Sequence, residues 1–242
     1  MYNELFNLDA LPPEKLTEAL TDPLAYLKKR LYPRTRQESM QFGFKLFYDH
    51  LTPEYFNKMI APGATAEDLQ KRISNLNRHI EDHYSMDLLK EKFKQTREYL
   101  INDPSLRVIH LKRENKLETL ISLKTAYLTN KWMRWKPEEG SMTCLHLTYE
   151  ECCHYFTKIE GYEKAFTDIF RDQKRIDITY EELARDKQEV ADRVFDFLAV
   201  SRKPVNTILQ KQIRHCSREI VTNYDELKNA FSSSVWSGYF ES

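Results

Sequence analysis

Apolar residues recur every three or four positions over most of this chain, and only a few short runs are apolar without a break. Leu24, Leu27 and Leu31, opened by Asp22-Pro23, predict a short helix. Pro12-Pro13 followed by EKLTEAL predicts another just before it, with proline in its first turn. Leu69, Ile73, Leu76 and Ile80 form one helical stripe, and Leu88, Leu89, Phe93 and Leu100 contribute to a second. Residues 66–101 therefore read as helical and strongly charged, ended by Asn102-Asp103-Pro104.

Three runs read as strands instead: FGFKLFY at 42–48, LRVIHLKR at 106–113 and RIDIT at 175–179. A fourth short run, CLHLT, ends at Thr148. The clearest of them passes almost at once into NKLETLISLKTAYLTNKW, a helical run over 115–132. Strand, short turn and helix make the unit from which parallel α/β sheets are built. A long helical stretch follows from Tyr149 to Asp172, and Val190, Val194, Phe195 and Leu198 mark another. The tail from Ile208 to Phe231 reads as helix or loop, with no clear period. The pattern as a whole predicts an α/β fold: one domain over residues 1–242, with three to four short parallel strands and a helical insert near 51–101.

Composition changes this picture in one respect. The chain has 242 residues, 41% of them hydrophobic and 31% charged, which is enough to bury a core. It has only five glycines, where average usage is about 7%. No two of them form a Gly-x-Gly pair and none precedes Lys-Ser or Lys-Thr, so neither a glycine-rich dinucleotide turn nor a Walker-type loop is present. Basic and acidic residues balance at 37 each, which leaves no electrostatic footprint for nucleic acid. No apolar run approaches the roughly 18 residues a membrane span needs. Four cysteines and an N-terminus without the charged and apolar regions of a secretory signal fit reduced thiols and a cytoplasmic location.

Most isolated candidates for chemistry have plain explanations. His79 and His83 have helical metal-ligand spacing, but the residue after His79 is Ile80, not the glutamate of a zinc-protease helix. Cys144, His146, Cys152, Cys153 and His154 lack the Cys-x-x-Cys spacing of zinc sites, and no metal is expected. Glu150-Glu151 and Glu181-Glu182 read as helix caps or solvated faces. The unit at 106–132 differs. A parallel strand ending in Lys112-Arg113 delivers cations to the carboxyl edge of the sheet, where α/β proteins bind ligands. The helix that follows offers its N-terminal amides to an anion at the same place.

VIHLKRENKLETLISLKTAYLTNKW resembles the 3′-phosphate-binding segment of sulfotransferases that use 3′-phosphoadenosine 5′-phosphosulfate (PAPS), in the form found in the bacterial Stf0 and nodulation-type branch. ITYEELARDKQEVADRVFDFLAV resembles the later block of that family, and FGFKLFYDHL its second strand. LQKQIRHCSREIVTNYDELKNAF resembles its C-terminal segment, and MYNELFN a stretch that follows its first helix. The resemblance implies a three-layer fold like that of P-loop nucleotide hydrolases. It implies PAPS as sulfuryl donor, adenosine 3′,5′-bisphosphate (PAP) as product, and a small-molecule, carbohydrate or lipid acceptor with a hydroxyl or an amine. It leaves a homodimer open.

By resemblance, Arg113 and Ser122 hold the 3′-phosphate and Tyr180 lies near the adenine. Glu4 matches the position of a general base, with His50 and Lys45 as second-choice base and cation. The insert at 51–101, carrying Tyr55, Phe56, His79, His83 and Tyr84, becomes an acceptor-side lid. One departure stands out: the family's first strand and Pro-Arg-Ser/Thr-Gly loop, which cradle the 5′-phosphosulfate, would precede Met1. A second reading follows from that departure, a catalytically inactive binding or scaffold module on the same fold.

Overall fold

The computed structural model describes residues 21–31, 43–48, 65–132, 143–206 and 216–241. They belong to two compact units, one made of Met1–Ile60 with Gln70–Leu106, the other of Ala61–Leu69 with Arg107–Ser242.

In the first unit, helix α1 (Pro23–Tyr26) starts where the Asp22 carboxylate accepts a 2.8 Å hydrogen bond from the Ala25 amide. Pro23 occupies the opening turn, where a missing N–H costs nothing. The chain then continues as a wider π-type turn, Leu27–Leu31. Helix α2 (Glu67–His83), from Gln70 onward, and helix α3 (Met86–Ile101) bury Ile73, Ile80, Leu89, Phe93 and Leu100. The continuous helical stretch expected over 66–101 breaks at Tyr84-Ser85, because the Ser85 side chain caps the second helix by accepting from the Leu88 amide. Residues 43–48 form no strand, against the expectation for 42–48. A strand needs a ladder partner, and among the described residues the sheet lies wholly within the second unit.

The second unit is built on a parallel pair, β1 (Arg107–Lys112) and β2 (Lys174–Thr179), in register from Arg107↔Lys174 to Lys112↔Thr179. Between them in sequence lie helices α4 (Lys116–Thr129) and α5 (Tyr149–Ile169). After β2 come α6 (Tyr180–Arg185) and α7 (Lys187–Leu198). Asn115, Thr148, Thr179 and Asp186 each cap the helix they precede through a side-chain oxygen. Helices α4 and α7 end without glycine, on Asn130 and Ala199 in the left-handed region at φ 53° and 55°.

Where three to four strands were expected, the described residues hold two. CLHLT reduces to a single parallel bridge between Leu145 and Val221. The reason is local. Leu145 bonds the backbone of Ile220 and Thr222 at 2.8 Å each, but at Leu147 the Asn223 side chain replaces the neighbouring strand.

The aperiodic tail proves to be core. Helices α8 (Ser217–Ile220) and α9 (Tyr224–Ala230) and the 3₁₀ turn Ser237–Phe240 deliver Ile220, Val221, Tyr224, Leu227, Phe231 and Phe240 against α4 and α5. They meet Leu117, Leu120, Ile121, Leu145, Leu147, Cys152 and Phe156. The Phe231 ring stacks on Phe240 at 5.1 Å and on Tyr149 at 4.5 Å. No helix among the described residues is long and apolar enough to cross a membrane.

Candidate functional site

Because Lys112 and Thr179 are register partners at the last position of each strand, the next residues, Arg113 and Tyr180, emerge side by side at the carboxyl edge. The Arg113 guanidinium lies 4.5 Å from the centre of the Tyr180 ring, within cation–π range. Its Nη2 donates to Glu118 Oε2 at 2.6 Å. Its Nε stands 3.9 Å from Glu181 Oε1, too far for a hydrogen bond. Both of those atoms are buried and have no hydrogen-bond partner. The other oxygen of Glu181 accepts from the Glu114 amide at 3.1 Å, which fixes the carboxylate in place.

The turn that carries Arg113 into α4 is held from both sides. The Asn115 side chain accepts from the Glu118 amide at 3.1 Å and donates to the Tyr239 carbonyl at 3.1 Å. Lys116 is buried, its ammonium bonded to Glu163 and to the Arg113 carbonyl. A buried lysine needs such partners, since an isolated charge there would be strongly disfavoured. Tyr155, close enough for the Arg113 charge to act on it, has its hydroxyl pushed well up, chiefly by burial. Helix geometry leaves the first amides of α4 without intrahelical acceptors at this edge. Cation, oriented amides and an aromatic face together suit an anion attached to a flat ring.

Of the residues expected at the site, Arg113 and Tyr180 are therefore brought into contact. Ser122 is half-buried and follows Glu118 by one turn of α4, on the same face. Lys45 belongs to the first unit, with Nζ 4.6 Å from the centre of the Phe47 ring. Glu4 and His50 lie outside the described residues. The His79 and His83 rings are 4.4 Å apart, and among the described residues no group of three or more histidine, cysteine or acidic side chains could hold a metal. Cys152 is fully buried, and burial pushes its thiol up to about 12, away from the thiolate form.

Glu118 and Glu181 escaped the reading of the sequence. Glu182 behaves as expected of a cap, closing a capping box with Thr179 and pairing with Arg193 at 2.8 Å. Its neighbour Glu181 faces Arg113 instead. The only available signal was that α6 opens directly from the strand end, so that its first two residues share the edge.

The sequence model of the Stf0 sulphotransferase family matches residues 70–226, which include both strands and every residue of this cluster except Tyr239. The chain belongs to that family. Among its curated relatives is Nodulation protein H of Rhizobium tropici, 28% identical over 139 residues, covering 56% of this chain and 55% of that protein. Nodulation protein H of Rhizobium meliloti is 28% identical over 141 residues, 57% of each chain. The chain thus spans a little over half the length of the curated relatives it matches. No solved structure matches it. Membership agrees with the α/β character of the second unit, whose parallel pair is the frame of the cluster.

Proposed function

We propose that this chain transfers a sulfuryl group from PAPS to a hydroxyl or amine of a small-molecule, carbohydrate or lipid acceptor, leaving PAP. The observation that carries the reading is Arg113, held over Tyr180 at the shared strand edge beside the opening of α4, in a chain of the Stf0 family. The residues fit the donor. Arg113 presents its guanidinium at the strand edge, over the Tyr180 ring, and a 3′-phosphate is a strong acceptor for its N–H donors. Ser122 adds a hydroxyl donor from the next turn of α4, and Tyr180 offers a ring near the adenine.

The donor supplies the sulfuryl group; the chain supplies charge, position and a base. Negative charge grows on the sulfuryl and bridging oxygens during transfer, so fixed donors aimed at them lower the barrier. The acceptor hydroxyl must lose its proton, and Glu4 is the base we assign, with His50 second and Lys45 as an accompanying cation. In this reading residues 1–242 act as one sulfotransferase-like domain.

The test is release of PAP when the protein is incubated with PAPS and a panel of hydroxyl and amine acceptors. Acceptor-dependent release that falls about 10²–10⁴-fold in Glu4→Gln is the expected result, the usual scale for losing a general base. Release with equal rates in both proteins would remove Glu4 from the reaction. Tight PAP binding with no release from any acceptor would favour a binding module.

A further inference from the structure

We infer that Glu181 reads the ribose 2′-hydroxyl of the donor nucleotide, next to the 3′-phosphate on Arg113; this rests on the PAPS reading above. The Nε and Nη2 of Arg113 form one edge of its donor fork. Nη2 is taken by Glu118, whereas Nε and Glu181 Oε1 form a loose ion pair at 3.9 Å, both buried and neither hydrogen-bonded. One is a donor lacking a hydrogen-bond acceptor; the other is an acceptor lacking a hydrogen-bond donor. Leaving both without a hydrogen bond is costly, so once Glu118 moves aside the pair suits a group that bonds to both.

A hydroxyl is such a group. Its oxygen, about 2.8 Å from each atom, accepts from Nε–H and donates its own proton to Oε1. A fully ionised phosphate oxygen cannot do this, since it has no proton to give and would meet the carboxylate as a like charge. The 3′-phosphate therefore belongs on Nη2, displacing Glu118, and the hydroxyl on the neighbouring ribose carbon falls to Nε and Glu181. Glu181 suits the task, because the Glu114 amide holds its far oxygen and leaves the near one beside Arg113 Nε. Glu118 closes the site when it is empty and competes with phosphate for the same donor.

Calorimetric titration of the full chain with PAP and with its 2′-deoxy analogue tests this without any variant. PAP is expected to bind at least about tenfold more tightly, the scale of a hydrogen bond to a charged group. In Glu181→Ala that preference should shrink to about twofold or less, while Glu118→Gln should tighten both ligands by a similar factor and keep the preference. Equal binding of the two ligands by the unaltered protein would overturn the assignment, with water in the gap, and leave the nucleotide site standing. A preference that survives in Glu181→Ala would overturn Glu181 as its source. Absence of any PAP binding would instead overturn the nucleotide reading on which this inference rests.

Discussion

Asp177 gathers three cationic or protonatable partners at the middle of the sheet: His110 Nδ1 at 3.0 Å, Arg175 Nε at 3.0 Å and Lys112 Nζ at 3.2 Å. Burial alone would push its carboxyl up, but the hydrogen bonds from Lys112 and Arg175 outweigh it and hold the group below the usual carboxylate range. His110 is almost fully buried, packed on Phe166 at 5.0 Å. Burial pulls its imidazole below 6.5, against the pull of Asp177 and Glu163 and with the help of Lys112. A depressed value in the folded state means that the unfolded chain takes up the proton first as pH falls. The neutral ring is thus fully compatible with the fold above 6.5, and stability is lost as pH drops from 6.5 through the folded value. Urea denaturation between pH 7.5 and 5 should show stability declining, with a shallower slope in His110→Asn. Parallel slopes would show that His110 does not titrate with folding.

The same residue scale separates what could be read in advance from what could not. Arg113 and Tyr180 stand in motifs, at ends of recognisable strands, so their places at the strand ends were legible, though not their contact. Glu118 and Glu181 look like ordinary first-turn acids, for which dipole and cap roles suffice. Only the register of β1 on β2 reveals that one of them faces an arginine from another element.

At the scale of elements, β1 with α4, β2 and α7 were visible because each has strong local signals, an apolar or alternating run for the strands and a helical stripe for the helices, whereas α6 was not read as a helix. The C-terminal helices were not, for a physical reason. They are four and seven residues long, too short to display a period, and their apolar residues pack in several directions rather than along one face. FGFKLFY misled in the opposite sense, since β-prone composition describes a surface ready to pair and does not supply a partner. Phe231 is fully buried between Tyr149, Phe156, Trp236 and Phe240. Phe231→Ala should therefore cost about 3–5 kcal/mol in chemical denaturation, the scale of a large core deletion. A loss below about 1 kcal/mol would mean that the tail is not part of the cooperative core.

At the scale of the molecule, family membership rests on motifs spread over residues 70–226, and their order along the chain is what made the sequence readable before any fold was seen. A chain with five glycines can still make the tight turn from β1 into α4, because Asn115 and Lys116 hold that turn rather than glycines. In the proposed reading this turn binds the 3′-phosphate of a nucleotide through Arg113. Calorimetric titration of the unaltered protein and of Arg113→Ala with PAP tests it most directly. Saturable one-to-one binding is expected, weakening at least about tenfold in Arg113→Ala. Equal affinity in the two folded proteins would contradict it.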